Sequence, residues 1–335
     1  LAEAGLEAVA GIDELAHMGL VEVVRELPRI RRLMDALVAE AARRRPRLAV
    51  LVDSPDFNLR LAERLRVLGI GVVLYVSPQL WAWRKGRVRT VARLAREVLC
   101  LLPFEVPFYT AHGVRARYVG HPLVDEIARV GLLDARPQRI PRRLALLPGS
   151  RAMEVRQLLP VMLRTLRSLD PGLVSEAVLV EAPGVAASID AALAASEPDA
   201  RLRRVAGRAR REELARSQLA WTASGTATLE CALLDVPMVV GYRLRGLSFA
   251  LARLLVRVPH VALVNLIAEE GVVPELLQGD FAPERLTAAT HLLLGKEGEA
   301  QRHGLARVRE RLGPPGASRA AAQAVAEHLA AAGIG

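Results

Sequence analysis

Short apolar runs alternate along most of this chain with longer segments whose apolar side chains recur at helical spacing. The first part holds four such runs, which predict strands at 48–52, 71–76, 97–102 and 116–119. Helical segments such as 59–68 and 86–95 lie between them. Strands that alternate with helices form parallel sheets, so we expect an α/β domain.

The pattern is interrupted at 133–143, a segment with two prolines and four arginines that predicts an interdomain linker. Five further runs then predict strands at 144–147, 177–181, 202–205, 219–222 and 237–241. An alanine-rich helix at about 318–332 is expected to cross back onto the first domain. We therefore expect two Rossmann-like, doubly wound domains that face a cleft, with bounds of 1–135 and 136–315 and a crossover helix at 316–335.

Length and composition fit a two-domain cytoplasmic protein. The chain has 335 residues, 52% of them hydrophobic, and a prior of roughly 150 residues per domain gives two domains. Its two cysteines lack the spacing of a metal site, and no apolar run approaches the roughly 20 residues that span a bilayer. We therefore expect neither a structural metal nor a disulfide framework.

The net charge of +10 comes almost entirely from arginine, because Lys85 and Lys296 are the only lysines. Such a charge predicts anionic partners. Nucleic acid is not favoured, because aromatic residues make up only 4% of the chain and the sequence has no zinc-finger or RNA-binding motif. Two interpretations stay open, a solvated arginine-rich surface and attraction to anionic lipid headgroups.

A small-residue turn joins the apolar run that ends at Leu147 to a segment of helical spacing. It places Gly149, Ser150 and Arg151 at the start of the predicted helix. Backbone N–H groups at a helix start stabilise anions, and arginine adds planar donors that suit phosphate. The turn therefore predicts a site for a diphosphate-bearing substrate. The alternative is a plain helix start, with Ser150 as the capping residue and Arg151 in solvent.

The same pattern follows the predicted strand that ends at Thr222. Ser224, Gly225 and Thr226 form a second candidate anion site at a helix start. Glu230, about one turn into that helix, could accept hydrogen bonds from both hydroxyls of a ribose. The alternative is a capped helix in which Glu230 only interacts favourably with the helix dipole.

Two carboxylates, Asp53 and Asp56, follow the first predicted strand, at the sheet edge where active-site residues usually lie. A carboxylate near a sugar hydroxyl can take its proton as the new bond forms, so Asp53 is a candidate general base. The alternative is a residue that caps the following helix, a role for which Asp56 or Asn58 is better placed.

Trp81 and Trp83 lie together in the loop after the second predicted strand. Aromatic faces suit sugar rings and acyl chains, but these side chains could instead pack at the base of the domain, and both interpretations stay open. His121 follows the fourth predicted strand. An isolated histidine is more often structural than catalytic.

Taken together, these motifs resemble those of the lipid-A-disaccharide synthase family, inverting glycosyltransferases with two Rossmann-like domains in the arrangement called GT-B. The resemblance covers nearly the whole chain. It rests on eight motifs in order, at 18–23 (MGLVEV), 53–58 (DSPDFN), 77–84 (SPQLWAWR), 102–105 (LPFE), 120–122 (GHP), 146–155 (LLPGSRAMEV), 224–230 (SGTATLE) and 238–243 (MVVGYR).

The resemblance implies transfer of 2,3-diacylglucosamine from its UDP donor to the 6-hydroxyl of 2,3-diacylglucosamine 1-phosphate. The products are a β-1,6-linked disaccharide and UDP, and no metal ion or cofactor is expected. By the same resemblance, Asp53 is the base, and Arg151 with the amides of Gly149 and Ser150 stabilises the departing diphosphate. The nucleotide contacts that it implies are those of Ser224, Gly225, Thr226, Glu230, Asn265 and, more weakly, Gln278.

The chain departs from the family pattern at two places. Val264 stands before Asn265 where the family usually has proline, and this change bears on the backbone conformation expected near Asn265. The family's first strand and its Gly-Glu-x-Ser-Gly-Asp loop lie upstream of Leu1. Without them we expect an unpaired edge in the first sheet and an incomplete cleft, and we expect activity of the full-length parent.

Both implied substrates carry acyl chains. Met18 begins a basic amphipathic segment, 18–45, that is predicted to be helical with a kink or break at Pro28 and that suits an anionic membrane surface. We therefore expect a peripheral protein on the inner face of the bacterial inner membrane; the alternative is a helix that packs within the domain. Rival functions are a UDP-sugar 2-epimerase and an inactive nucleotide- or lipid-binding protein.

Overall fold

A computed structural model describes residue 7 and residues 22–83, 85–243 and 259–331. These residues form two parallel β-sheets with helices packed on them. Helices connect most of the neighbouring strands, as parallel pairing requires. This confirms the predicted α/β fold with two Rossmann-like units.

The first sheet has four strands in chain order, β1 (Leu48–Val52), β2 (Gly71–Tyr75), β3 (Glu97–Cys100) and β4 (Ala116–Tyr118). The helices of this half are α1 (Glu22–Arg44), α2 (Pro55–Val67), α3 (Val88–Leu94), α4 (Glu105–Thr110) and α5 (Pro122–Arg129). All four strands lie within the predicted runs. β1 is at an edge, pairs only with β2 among the described residues, and leaves the side chain of Val52 53% exposed.

The second sheet has six strands in the order β10-β9-β8-β5-β6-β7. They are β5 (Arg143–Leu147), β6 (Glu176–Val180), β7 (Leu202–Val205), β8 (Leu219–Ala223), β9 (Met238–Tyr242) and β10 (Glu275–Leu277). The helices are α6 (Ala152–Ser168), α7 (Ala186–Ala194), α8 (Arg210–Ala215), α9 (Thr226–Leu233), α10 (Leu263–Ala268), α11 (Pro283–Leu294) and α12 (Lys296–Leu312). The hydrophobic pattern did not predict β10, because its three half-buried residues are too few to form a recognisable run.

The strand order of the second sheet reverses between β5 and β8. The chain runs outward from β5 through β6 to β7 and then returns to the other side of β5, where Leu146 pairs with Trp221. Such a reversal leaves a crevice at the carboxyl ends of the two central strands. The loops after β5 and β8 are the two predicted anion sites, so the topology places them side by side.

Each half of the chain contributes a helix to the core of the other half. The last helix, α13 (Ala317–Ala331), packs on the first sheet, where Ala324 joins a buried cluster with Val73 and Leu99. This confirms the predicted crossover helix. In the other direction, α5 places Ile127 in the same buried cluster as Cys231 of α9. An element before residue 135 therefore belongs to the core of the second sheet, and the domain bounds stay a prediction.

α1 is a single helix that continues through Pro28, so a break at this residue is wrong, and a kink there stays a prediction. A proline removes only one main-chain hydrogen bond of a helix, and tertiary packing supports the rest. Met34 lies in the buried cluster of the first sheet, and Leu37 and Val38 pack against that cluster. This confirms the packing interpretation for this face of α1. Within the described ranges, no helix has the length and apolar character that crossing a membrane requires.

Candidate functional site

A cavity of about 1270 Å³ lies between the two sheets. The loop after β2 and the start of α5 form one side, and the loops after β5 and β8 form the other. Ten of the predicted site residues line this cavity: Trp81, Trp83, His121, Gly149, Ser150, Arg151, Ser224, Gly225, Thr226 and Glu230. The fold therefore brings both predicted anion sites and the tryptophan loop into one cleft.

Gly149 shapes the loop after β5, and Arg151 holds the N-cap position of the helix that follows. Gly149 has a φ of 117°, a conformation that favours glycine, and a Cβ at this position would collide with the carboxylate of Glu154. Arg151 holds the N-cap position of α6 without a capping hydrogen bond from its side chain, so the alternative that places Ser150 at this position is wrong. The side chain of Arg151 is 83% exposed, which leaves its guanidinium accessible to a ligand.

Glu154 contacts this loop from the first turn of α6. Its Oε2 accepts hydrogen bonds from the backbone amides of Ser150 at 3.0 Å and Arg151 at 3.3 Å, and Arg151 Nη1 lies 3.4 Å from Oε1. Glu154 also lines the cavity but was not among the predicted site residues. A signal was present in the sequence, because a glutamate three residues after the cap is typical of a capping box.

Side-chain hydroxyls hold the loop after β8. Ser224 Oγ donates a hydrogen bond to the carbonyl of Val261 at 2.9 Å, and Thr228 Oγ1 donates to the carbonyl of Gly225 at 2.7 Å. Gly225, with a φ of 132°, stands just before α9, which begins at Thr226. The first backbone amides of a helix have no partner within it, so this loop can bind an anion.

Glu230 is buried at the cavity wall and has arginine partners. Arg211 Nε donates to Glu230 Oε1 at 2.7 Å, and Arg210 Nη2 lies 3.4 Å from the same oxygen. Arg211 also pairs with Glu126 of α5, so this ion pair joins the two halves of the chain. Sequence reasoning missed both arginines, because ion pairs between distant segments leave no local signal. The ribose contact of Glu230 stays a prediction.

The tryptophan loop is anchored by a buried carboxyl group. Trp81 Nε1 donates to Glu105 Oε1 at 3.1 Å, and the indole ring packs edge-on against Phe104 at a centroid distance of 4.9 Å. Burial raises the pKa of Glu105. Trp83 is 37% exposed. Trp81 thus supports both open interpretations, since it packs within the domain and also lines the cavity.

His121 caps α5 through its side chain. Its Nδ1 accepts a hydrogen bond from the backbone amide of Leu123 at 3.1 Å, a structural contact of the kind expected of an isolated histidine, and a role of His121 at the acceptor stays a prediction. Burial lowers the pKa of His121, so the imidazole is neutral at pH 7. The residue lines the cavity as a fixed, neutral group.

Asp53 lies at the carboxyl end of β1, but it is not among the residues that line the cavity. Its backbone has a φ of 52°, its amide donates to the Tyr75 carbonyl at 3.0 Å, and its carbonyl accepts from Asn58 Nδ2 at 2.7 Å. The side chain of Asp53 is exposed. α2 begins at Pro55 after Ser54, so the alternative in which Asp56 or Asn58 caps this helix is wrong.

Asn265 and Gln278 also lie outside the cavity lining. Asn265 is 1% exposed; its Nδ2 donates to the Val273 carbonyl and to Glu275, and its Oδ1 accepts from the Val273 amide. Glu275 in turn accepts a hydrogen bond from the Val261 amide, and the carbonyl of Val261 accepts the hydrogen bond from Ser224 Oγ. Asn265 thus supports the second loop from behind, and its nucleotide contact stays a prediction. Gln278 accepts a hydrogen bond from Arg243 Nε at its main-chain carbonyl, at 2.9 Å.

Met18 lies outside the described residues, so its predicted role has no structural counterpart. Across the described ranges, no group of three or more histidine, cysteine, aspartate or glutamate side chains is arranged to hold a metal ion. The candidate anion-binding groups that line the cleft are arginine side chains and backbone amides. These belong to the loops after β5 and β8 and to the start of α8.

Comparison with known proteins gives a consistent result over nearly the whole chain. The family model described as lipid-A-disaccharide synthetase matches residues 1–328. A lipid-A-disaccharide synthase from Anaeromyxobacter dehalogenans (strain 2CP-1) is 47% identical over 332 residues, which cover 95% of this chain and 84% of that protein. The enzyme of the same name from Myxococcus xanthus (strain DK1622) is 43% identical over 340 residues, with 98% and 88% covered.

Solved structures share the architecture at low sequence identity. UDP-GlcNAc 2-epimerase from Neisseria meningitidis, bound to UDP-GlcNAc, superimposes with a TM-score of 0.60 at 10% identity, with 92% of this chain and 84% of that one covered. An identity this low carries the fold but not the activity. The likeness therefore supports the paired-domain fold, while the sequence relatives decide between the transferase and the epimerase.

Proposed function

This chain belongs to the lipid-A-disaccharide synthase family, and we propose that its cleft joins UDP-2,3-diacylglucosamine to 2,3-diacylglucosamine 1-phosphate. The observation that carries the proposal is the pairing of two anion-binding loops, after β5 and β8, at the reversal of strand order. They open into one cavity that both halves of the chain line. In this proposal the nucleoside diphosphate of the donor binds at the cavity side formed by the loops of the second sheet. The acyl-sugar acceptor binds at the side formed by the first sheet.

The reaction exchanges one C–O bond at the donor sugar for another. The 6-hydroxyl oxygen of the acceptor attacks C1 of the donor sugar, the bond between C1 and the diphosphate oxygen breaks, and UDP leaves with that electron pair. Attack from the opposite face inverts C1 and gives the β linkage. By the family resemblance we assign the hydroxyl proton to the carboxylate of Asp53, which is exposed at the carboxyl end of β1 and lies outside the described cavity lining.

The protein groups of the second sheet meet the charge that develops on the diphosphate. Arg151 and the amides of Gly149 and Ser150 lie at one loop, and the amides of Gly225 and Thr226 lie at the other. The amide of Ser224 itself donates to the Gly241 carbonyl at 3.2 Å, so Ser224 contributes its position in the loop and not a free amide. Donors fixed in advance at the place where charge appears lower the barrier most effectively. Glu230, which Arg211 holds in the cavity wall, accepts the ribose hydroxyls.

The test is an incubation of the full-length protein with both acylated substrates, with products separated by chromatography and identified by mass. We expect disaccharide 1-phosphate and UDP in equal amounts, and no UDP release when the acceptor is left out. An epimerised UDP-sugar would instead establish the isomerase. Absence of turnover with both substrates present would contradict the proposed reaction.

We also propose that the protein acts at the inner face of the bacterial inner membrane, where acylated substrates reside. The apolar face of α1 packs on the first sheet, whereas Arg29, Arg31 and Arg32 are exposed on the same helix. Attraction of such arginines to anionic headgroups, worth about 1 kcal/mol each, favours electrostatic contact. These arginines belong to the basic amphipathic segment 18–45, which begins at Met18 in the sequence.

Sedimentation with vesicles checks this contact. We expect the protein to pellet with vesicles that contain anionic phospholipid at low salt, and to be released at high salt because ions screen the attraction. Vesicles of zwitterionic lipid alone are the control and are expected to leave the protein in the supernatant. Equal binding to both kinds of vesicle, or none to either, would contradict the proposal.

A further inference from the structure

The carboxylate of Glu154 occupies the hydrogen-bond donors of the loop after β5. One oxygen accepts from the backbone amides of Ser150 and Arg151, at 3.0 and 3.3 Å, and the other lies 3.4 Å from the Arg151 guanidinium. The proposed function assigns two of these groups, the Ser150 amide and the Arg151 guanidinium, to the diphosphate of the donor. One set of donors cannot serve both anions fully, so donor binding and the Glu154 contact compete.

The position of Glu154 differs from that of an ordinary capping residue on a protein surface. Glu154, Gly149, Ser150 and Arg151 all line the cavity, and the glutamate side chain is only 23% exposed. Tyr242 lines the same wall, and burial together with the negative charge of Glu154 raises its pKa. A negative charge is therefore held inside the cleft where the substrate is expected to place its own.

We propose that Glu154 is a resident anion of this loop, displaced by the donor diphosphate when it binds and competing with UDP for the loop after transfer. The inference rests on the proposed function and deepens it. Glu154 forms no bond with the reacting atoms, so it is a positioning residue. In the free protein it keeps the loop in its binding conformation by satisfying its amides.

Competition by Glu154 matters most at product release. UDP ends in a terminal phosphate whose second ionisation, with a pKa of about 6, adds charge that the diphosphate lacks while it is esterified to the sugar. Backbone amides and an arginine fork would hold such an anion tightly. A carboxylate that returns to these donors lowers the affinity for UDP, and product release limits the rate of many enzymes.

The test is the binding of UDP and of uridine to the Glu154→Gln variant. Glutamine is accepted at this position of a capping box, so the loop is expected to keep its conformation while it loses the charge. We expect the Kd for UDP, measured by calorimetry, to fall about tenfold, which equals about 1.4 kcal/mol. Uridine has no phosphate, and its Kd, measured by ligand-observed NMR, is expected to stay at the wild-type value.

Two further variants make the result specific. Glu154→Ala, checked by thermal unfolding, removes carboxylate and contact together and should also tighten UDP. Glu197→Gln makes the same charge change at an exposed position outside the cavity and should leave both constants unchanged. Unchanged or weaker UDP binding in both Glu154 variants, or an equal tightening of uridine, would overturn the role of Glu154. A wild-type protein that binds neither ligand would refute the proposed function itself.

Discussion

Replacement of Asp53 by asparagine is expected to lower kcat by about two to four orders of magnitude while the Kd for UDP stays within about twofold of the wild type. An amide cannot take the proton of the acceptor hydroxyl, whereas the phosphate loops lie on the second sheet and keep their donors. Asparagine tolerates the φ of 52° that Asp53 adopts, so the loop after β1 should be preserved. Steady-state kinetics and calorimetry measure the two effects separately.

Asp56→Asn is the matched control for this experiment. Asp56 lies three residues further along the same loop and helix, is exposed, and pairs with Arg87. The Asp56→Asn variant loses the same charge near the same strand end, and we expect the kcat of this variant to stay close to that of the wild type. If Asp53→Asn retains the wild-type kcat, Asp53 is not the base. If both variants lose activity equally, the effect belongs to the charge of this edge and not to Asp53.

Arg151→Ala is expected to lower kcat by about two to three orders of magnitude, because the guanidinium stabilises charge that grows on the diphosphate as the bond to C1 breaks. Its side chain is 83% exposed at the cavity, and its ion pair with Glu154 is solvated, so removal should hardly affect the free energy of unfolding. Lysine at this position keeps the charge but not the planar fork, and we expect only partial recovery of kcat.

Arg156→Ala serves as the control for Arg151. It removes the same charge from an exposed position on the same helix, α6, but Arg156 does not line the cavity. We expect wild-type kinetics from this variant. Wild-type kcat in Arg151→Ala would show that the backbone amides alone stabilise the leaving group. A fall in both variants would point to the overall field of α6 instead.

The strands were predictable because burial on both faces leaves a run of apolar residues. Val98 and Leu99 of β3 are fully buried, although they point to opposite faces of the sheet, and the sequence there has no alternation. The two candidate anion-binding loops, after β5 and β8, were predictable for a different reason. A strand, a turn with glycine and a helix start follow one another within ten residues, so the whole signature is local.

The contacts of the site were less predictable, because they depend on residues far apart in the chain. Arg211 meets Glu126 across 85 residues and Glu230 across 19, and nothing near any of them indicates the pairing. Asn265 shows the converse limit. A motif places the residue close to the second loop, but only its partners Val273 and Glu275 show that its amide faces the core.

The exchange of helices between the halves has a consequence for how the protein folds during synthesis. The ribosome makes the four strands of the first sheet early, yet within the described part of the chain the helix that packs on one face of that sheet is α13, which is made more than 190 residues after β4. Val73 and Leu99 therefore remain exposed in the nascent chain until α13 emerges and docks. Early domains usually complete folding before later ones are made. In this protein the domain that is made first completes its folding only after the last helix, α13, has been made.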